Sequence, residues 1–268
     1  MPREMLTSLD DPRLIHYRNL KDRELARLGD RFIAESEFVV RRLLASDYPV
    51  QSVLVAARKA AAIETAVPSG VPLFVLPDEM LDRVIGYPFH TGVIAVGRRK
   101  PSPPLEQIVP RAGKRSTLLI CPDIINFENL GSLIRIASAF GADAVILGER
   151  CCDPFYRLSI RVSMGTVFSM PIVRSKRLID DLVRLRTEFG YELAATVLAT
   201  DAEPLPKAVR GERLAVLFGN EATGLCPEDM AACDRRITLP MARGTDSLNV
   251  AVAAAVFLYQ LTGANAER

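Results

Sequence analysis

Near its end the chain reads Leu239-Pro240-Met241-Ala242-Arg243-Gly244-Thr245-Asp246-Ser247-Leu248-Asn249 and passes directly into Val250-Ala-Val-Ala-Ala-Ala-Val-Phe-Leu-Tyr259. The stretch Arg236-Ile-Thr-Leu239 has the make-up of a strand, and Pro240 stops it. The polar, glycine-containing segment that follows is a loop. Ser247 stands where a helix N-cap belongs, which predicts a helix over 248–261. Small and apolar residues fill that helix on almost every side, so it is expected to be buried nearly all round. Ser247 and Asn249 are the only polar side chains at its mouth. Polar groups held against a core cost free energy unless something pairs with them, so this loop is the first place to look for a site.

Upstream the same alternation repeats. Strands are predicted at Thr117-Leu-Leu-Ile-Cys121, Ala144-Val-Ile-Leu147, Glu192-Leu-Ala-Ala-Thr-Val197 and Leu214-Ala-Val-Leu-Phe218. Helices are predicted over 130–140, 154–163 and 176–189. Strands that are apolar without alternation, separated by amphipathic helices, imply an α/β fold with a parallel sheet covered on both faces. Ligands of such sheets bind outside the carboxyl ends of the strands, which selects the loops 122–130, 195–203, 219–226 and 240–247.

The segment Arg98-Arg99-Lys100-Pro101-Ser102-Pro103-Pro104 suits neither a helix interior nor a central strand and reads as a linker. Before it, helical patterns at about 11–28 and 36–46 alternate with apolar runs at Ser52–Ala56, Pro72–Leu76 and Val93–Val96. The expected organisation is a smaller α/β domain over 1–100, a Pro-rich basic linker over 101–112 and a parallel-sheet domain over 113–268.

Bulk properties narrow the function. The 268 residues are 49% hydrophobic, yet no run of apolar residues is long and charge-free enough for a membrane span, and the first residues lack the apolar core of a signal peptide. Five cysteines without zinc-knuckle spacing read as reduced thiols, so a cytoplasmic protein without metal or membrane partner is expected. A net charge of +2 does not announce a polyanion partner, which needs local clusters instead. Arg13, Arg18, Lys21, Arg23, Arg41-Arg42 and Arg98-Arg99-Lys100 supply them, although Asp10, Asp11, Asp22 and Glu24 interleave with the first group. The dinucleotide and phosphate-loop glycine fingerprints are absent, and no Ser-His-Asp set accompanies Ser163 or Ser247. Of the two histidines, His90 either serves catalysis or orders the turn Gly86–Gly92.

Two further loops carry unusual content. In Asn126-Phe-Glu-Asn129-Leu-Gly131-Ser-Leu-Ile-Arg135, Asn129 lies at a helix entrance suited to an anion, and Arg135 lies on the face opposite the apolar stripe. An N-cap asparagine and a solvated arginine are the plainer reading. In Phe218-Gly219-Asn220-Glu221-Ala-Thr-Gly224, Gly219 lets the main chain approach a ligand, or simply punctuates a turn.

Asn129-x-Gly131-x-x-x-Arg135, Gly219-Asn-Glu221-x-x-Gly224 and Leu239-Pro…Ser247-Leu-Asn249, in this order, resemble the SpoU (TrmH-like) RNA ribose 2′-O-methyltransferases of the SPOUT superfamily. Arg161-Val-Ser-Met-Gly165 looks like the family's linking segment, and Phe32–Glu35 with Gly86–Val96 looks like its N-terminal RNA-binding domain. The resemblance implies a C-terminal trefoil knot, a homodimer, S-adenosylmethionine as methyl donor, and ribosomal or transfer RNA as substrate, and the N-terminal accessory domain of moderate length tilts the expectation toward ribosomal RNA. It also implies cofactor contacts at Thr196, Gly219, Leu239 and Leu248, and a catalytic set of Asn129, Arg135, Glu221, Ser247 and Asn249. Glu221 is expected to fix Arg135 or to accept a hydrogen bond from Asn249. The family pattern makes Arg135 the general base; a guanidinium keeps its proton, so a phosphate clamp is the physical expectation. Asn126 stands where the family often has aspartate, and its side-chain oxygen can shape the same turn. The competing expectation is an inactive RNA-binding protein that retains the fold.

Overall fold

A computed structural model describes residues 3–20, 29–109 and 114–262. The chain divides into two compact units, Met1–Pro101 with Phe155–Ser169, and Ser102–Pro154 with Met170–Arg268.

The first unit holds β1 (Glu4–Met5), β2 (Arg31–Glu35), β3 (Val50–Ala56), β4 (Leu73–Leu76) and β5 (Val93–Arg98) in the order β1-β4-β3-β5-β2. The first three in that order run parallel, and β5 lies antiparallel to β3 and β2. Helix α1 (Glu37–Leu44) fills the predicted 36–46 pattern, followed by α2 (Ala60–Glu64) and α3 (Asp78–Ile85). The helix expected over 11–28 is, in its described part, a tight 3-10 segment at Pro12–Tyr17 capped by Asp11. β2 escapes sequence reading because it is short, ends in charges, and pairs with a strand distant in the chain.

Arg98, read as the start of the linker, is the last residue of β5 and faces Arg31 across the ladder. Asp30 lies 3.4 Å from Arg31 and 3.5 Å from Arg98, offsetting this like-charge pair. The other basic clusters are similarly laced with carboxylates. Arg13 pairs with Asp11 at 2.6 Å and holds its carboxyl down at about 2, Arg41 pairs with Glu37 at 3.1 Å, and Lys100 pairs with Asp47. Lys21 and Arg23 lie outside the described residues.

Phe155–Ser169, with the short helix α6 (Arg157–Val162), belongs to this first unit, whereas the sequence reading keeps it with the second half. Arg157 donates to the buried Glu35 carboxylate at 2.6 Å, and Tyr87 donates to the same oxygen at 2.5 Å. Phe155 and Phe168 each bring their rings to 5.4 Å from Phe32. A buried charge pair and ring packing therefore hold the segment, and neither leaves a trace in local periodicity.

The second unit is a seven-stranded parallel sheet. Its members are β6 (Ser116–Cys121), β7 (Ala144–Leu147), β8 (Ile172–Arg174), β9 (Glu192–Thr196), β10 (Glu203–Pro204), β11 (Arg213–Leu217) and β12 (Arg235–Thr238). They are ordered β10-β12-β9-β11-β6-β7-β8. The α/β, parallel-sheet expectation holds, and β8 and β10 extend it at the edges. α4 (Leu105–Ile108) and α7 (Leu178–Thr187) cover one face, packing Leu105, Leu178, Leu182 and Leu185 with Leu118, Ile120, Leu193 and Leu217. The short α8 (Pro227–Ala231) lies between β11 and β12 in the chain, while α5 (Phe127–Ala139) and α9 (Val250–Thr262) pack together, with Phe257 of α9 meeting Phe218 edge-on at 5.7 Å.

α9 is not buried all round. Ala251, Ala254, Phe257, Leu258 and Leu261 are buried, but Val252, Val256 and Tyr259 are 50%, 38% and 47% exposed and form one stripe. Composition alone does not separate a helix covered by its own chain from one that keeps an apolar face outward. Among the described residues no helix is long and apolar enough to cross a membrane.

Candidate active site

The loops after β6, β11 and β12 converge, and each does so through an asparagine. After β6, the Asn126 side-chain oxygen accepts from the Glu128 and Asn129 amides at 2.8 and 3.0 Å and caps α5. Asn126 thus makes the turn expected of it, and Asn129, relieved of capping, sits inside the first helical turn with its carboxamide free to reach elsewhere. α5 stops before Gly141, whose φ of 70° is the left-handed geometry of a helix terminus.

After β11 the chain closes on itself. Asn220 and Gly224 exchange backbone hydrogen bonds of 3.0 and 2.8 Å. The Asn220 side-chain oxygen accepts from the Ala222 amide at 2.9 Å, while its nitrogen donates to the Asp123 carbonyl at 3.1 Å. Those bonds pin this loop to the one after β6 and deliver Glu221 to Asn129, which donates to its Oε1 at 2.7 Å. Asn220 is the residue the sequence reading quoted but gave no role. An amide next to the motif glutamate, in a glycine-bounded turn, was the available signal.

Gly219 admits a close approach of its own loop. A Cβ there would stand 2.3 Å from the Gly224 carbonyl carbon and 2.4 Å from the Leu225 nitrogen. Gly219→Ala is therefore expected to destabilise the protein by about 1–3 kcal/mol, measured by urea unfolding, and to displace Glu221.

After β12, Asn249 rather than Ser247 caps α9, its side-chain oxygen accepting from the Ala251 and Val252 amides at 2.9 and 3.4 Å. Serine and asparagine cap equally well, so sequence does not choose between them. The Asn249 nitrogen donates to Asn129 Oδ1 at 2.9 Å. A directed chain results: helix amides to Asn249, Asn249 to Asn129, Asn129 to Glu221. Backbone N–H groups only donate and an ionised carboxylate only accepts, so both carboxamide orientations are fixed.

Of the predicted catalytic set, Asn129, Glu221 and Asn249 come together. Ser247 is exposed two residues before the cap. Glu221 takes its bond from Asn129, not from Asn249 or Arg135. Arg135 lies exposed on α5, six residues or about 9 Å along the axis from Asn129, without a hydrogen bond or ion pair among the described residues.

Beside these loops lies a cleft of ≈ 460 Å³ whose walls include Leu198, Ala199, Thr238, Leu239, Pro240 and Met241. Leu239 is one of its lining residues, and Thr196, Gly219 and Leu248 are not among them. The Thr196 hydroxyl donates to the Leu217 carbonyl at 2.8 Å, and Leu248 is 39% exposed. Leu198, 71% exposed in the loop after β9, is the apolar wall residue the sequence reading missed. The cleft's size and its apolar lining, which also includes the polar Thr245 and Asp246, suit a nucleoside-sized molecule with an aliphatic tail.

Cys151 supports the site without chemistry of its own. Its sulfur accepts from the Ile124 amide at 3.2 Å and its thiol donates to the Cys121 carbonyl at 2.9 Å, while the Cys152 amide donates to the Ile124 carbonyl at 2.8 Å. Burial pushes the Cys151 thiol up to about 11, away from a reactive thiolate. Among the described residues no group of three or more His, Cys, Asp or Glu side chains is placed to hold a metal ion. His90 belongs to the first unit, where its carbonyl accepts from Arg58 at 3.1 Å in the turn before β5.

Residues 116–259 match the model of the SpoU rRNA Methylase family. A Mycobacterium bovis protein named as a tRNA/rRNA methyltransferase is 38% identical over 94% of this chain and 89% of its own length. The 23S rRNA (guanosine(2553)-2′-O)-methyltransferase of Bacillus subtilis is 29% identical over 97% of this chain and 100% of its own. The fold is shared with the S-adenosylmethionine-bound rRNA methyltransferase of Sinorhizobium meliloti, with a TM-score of 0.82, 24% identity and 99% coverage of both chains.

Proposed function

Because this chain belongs to the SpoU rRNA methylase family, we propose that it transfers a methyl group from S-adenosylmethionine to a ribose 2′-hydroxyl of ribosomal RNA. The observation that carries this reading is the hydrogen-bonded run Asn249–Asn129–Glu221, drawn from three loops at the carboxyl ends of the strands beside an apolar cleft. The relatives named for 23S rRNA favour ribosomal over transfer RNA. The inactive RNA-binding alternative finds no support among them.

Leu198, Leu239 and Met241 suit the adenosine and thioether portions of the cofactor, and the loop 240–246 carries main-chain groups able to read its polar edges. When bound, S-adenosylmethionine supplies an electrophilic methyl group on a sulfonium sulfur. The protein's task is alignment: the attacking oxygen must lie in line with the methyl–sulfur bond. Asn129, locked between Glu221 and Asn249, fixes the α5 entrance at which the ribose and its phosphate dock. Arg135, free of carboxylate partners, grips the adjacent phosphate, and its charge makes the neighbouring hydroxyl a better acid. With the methyl donor bound, the hydroxyl proton would leave to water, since Arg135 keeps its own. Ser247, exposed at the loop end, lies within reach of the same substrate.

The reading includes the trefoil knot, a cytoplasmic location, residues 1–100 as RNA-binding domain and residues 113–268 as catalytic domain. It also includes a homodimer, supported by the exposed stripe Val252, Val256 and Tyr259 on α9, the kind of apolar face that a second copy covers. Purified protein incubated with methyl-labelled S-adenosylmethionine and protein-free bacterial 23S rRNA or tRNA tests it. Label recovered as 2′-O-methylnucleoside from rRNA, insensitive to chelators, is expected. Label on a base, or none, overturns it. Sedimentation of the same preparation as a monomer would remove the dimer.

A further inference from the structure

Arg243 occupies a backbone conformation that suits glycine. Its φ is 56° and that of Gly244 is 71°, and the Thr245 amide donates to the Ala242 carbonyl at 3.2 Å. Two successive left-handed residues closed by such a bond follow the type I′ pattern, whose first central position favours Asn, Asp or Gly. A long cationic side chain there is strained and finds no compensating hydrogen bond or ion pair among the described residues. Arg243 is exposed and makes no hydrogen bond or ion pair among the described residues, although Asp246 lies three positions on.

The turn stands at the rim of the cleft. Met241 and Thr245, on either side of it, line the wall, while Ala242, Arg243 and Gly244 do not. An exposed guanidinium outside that lining is available to something large lying across the opening. Strained residues persist where function needs them, and the chemistry here is a single unpartnered cation.

We infer that Arg243 is a substrate-positioning residue that contacts an RNA backbone phosphate at the mouth of the cleft. The inference rests on the RNA-methylating reading above. It adds a second unpaired arginine to Arg135, so that substrate is held from the β12–α9 loop as well as from α5. Neither contact reads sequence; both fix register.

The test compares Arg243→Asn, Arg243→Lys and wild type with 23S rRNA and S-adenosylmethionine. Asparagine tolerates the left-handed conformation, so Arg243→Asn is expected to raise Tm by about 1–4 °C. The same variant is expected to raise KM for RNA by about 5–20-fold, to leave S-adenosylmethionine affinity unchanged, and to reduce the salt dependence of RNA binding by about one phosphate contact. Arg243→Lys keeps the charge and the strain, and should retain the salt dependence without the gain in Tm. A more stable enzyme with weaker RNA binding is a pairing that a purely structural role does not produce. Unchanged KM for RNA in Arg243→Asn overturns the inference, as does a loss confined to S-adenosylmethionine binding. Wild-type protein that methylates no RNA would instead overturn the underlying functional reading, whatever the variants do.

Discussion

Asn129→Asp is expected to lower kcat/KM for RNA methylation by roughly 100-fold near pH 8 and to recover part of that loss as the pH falls. Aspartate has the shape of asparagine and still accepts from Asn249, so one of the two bonds survives. The other is inverted: a donor 2.7 Å from Glu221 Oε1 becomes a second acceptor. Two carboxylates at that separation cannot both be ionised, so they either part or share a proton. The sign follows. A proton bound more tightly by the aligned pair than by separate carboxyl groups makes alignment present at low pH and lost as pH rises through the pair's titration. Initial rates and Tm from about pH 5 to about pH 8 measure this, both expected to fall with rising pH in the variant more than in wild type. The double variant Asn129→Asp/Glu221→Gln reverses the bond, the new carboxamide donating to the new carboxylate, and is expected to regain alignment at every pH. A fully active single variant would show that the relay has no part in catalysis.

The parallel sheet was legible because its central strands β6, β7 and β11 are runs of four to six buried residues without an exposed position. Such runs have few other places to go. The site was legible for a different reason: Asn129, Glu221 and Asn249 are polar side chains in loops that the strand order brings to one edge. What sequence did not disclose is who bonds whom. The choice between Ser247 and Asn249 as cap turns on where the loop enters the helix, since both residue types cap well. A missing Cβ at Gly219 does not say which backbone comes close to it, and the structure brings Gly224 and Leu225 there. The Thr196 hydroxyl is engaged by the Leu217 carbonyl, and the exposed Leu198 two residues later lines the cleft. The packing of Phe155–Ser169 with the first unit depends on Glu35, a residue more than a hundred positions away, and no local pattern reports it.

Arg135→Ala is expected to reduce kcat/KM by about 100–1,000-fold, and Arg135→Lys by about 10–100-fold with no new titration in its pH–rate profile. Two accounts of this residue make opposite predictions for lysine. If Arg135 removed the hydroxyl proton, an amine would be the better base, and the lysine variant would turn over near the wild-type rate, rising with pH toward the lysine range. The structure favours the other account. A guanidinium does not release its proton in proteins, and Arg135 is exposed on α5 rather than desolvated among cations that would make release easier. What its position does offer is an unpaired planar fork near a helix entrance, suited to two parallel bonds to one phosphate. Lysine keeps the charge and loses the fork. The salt dependence of RNA binding should therefore fall by about one phosphate contact in Arg135→Ala and persist in Arg135→Lys, while the rate falls in both. That split assigns the charge to holding RNA and the planar geometry to aligning it. The base account, which needs a deprotonated residue, requires the lysine variant to lose salt dependence as its activity appears, and the two accounts separate on that measurement.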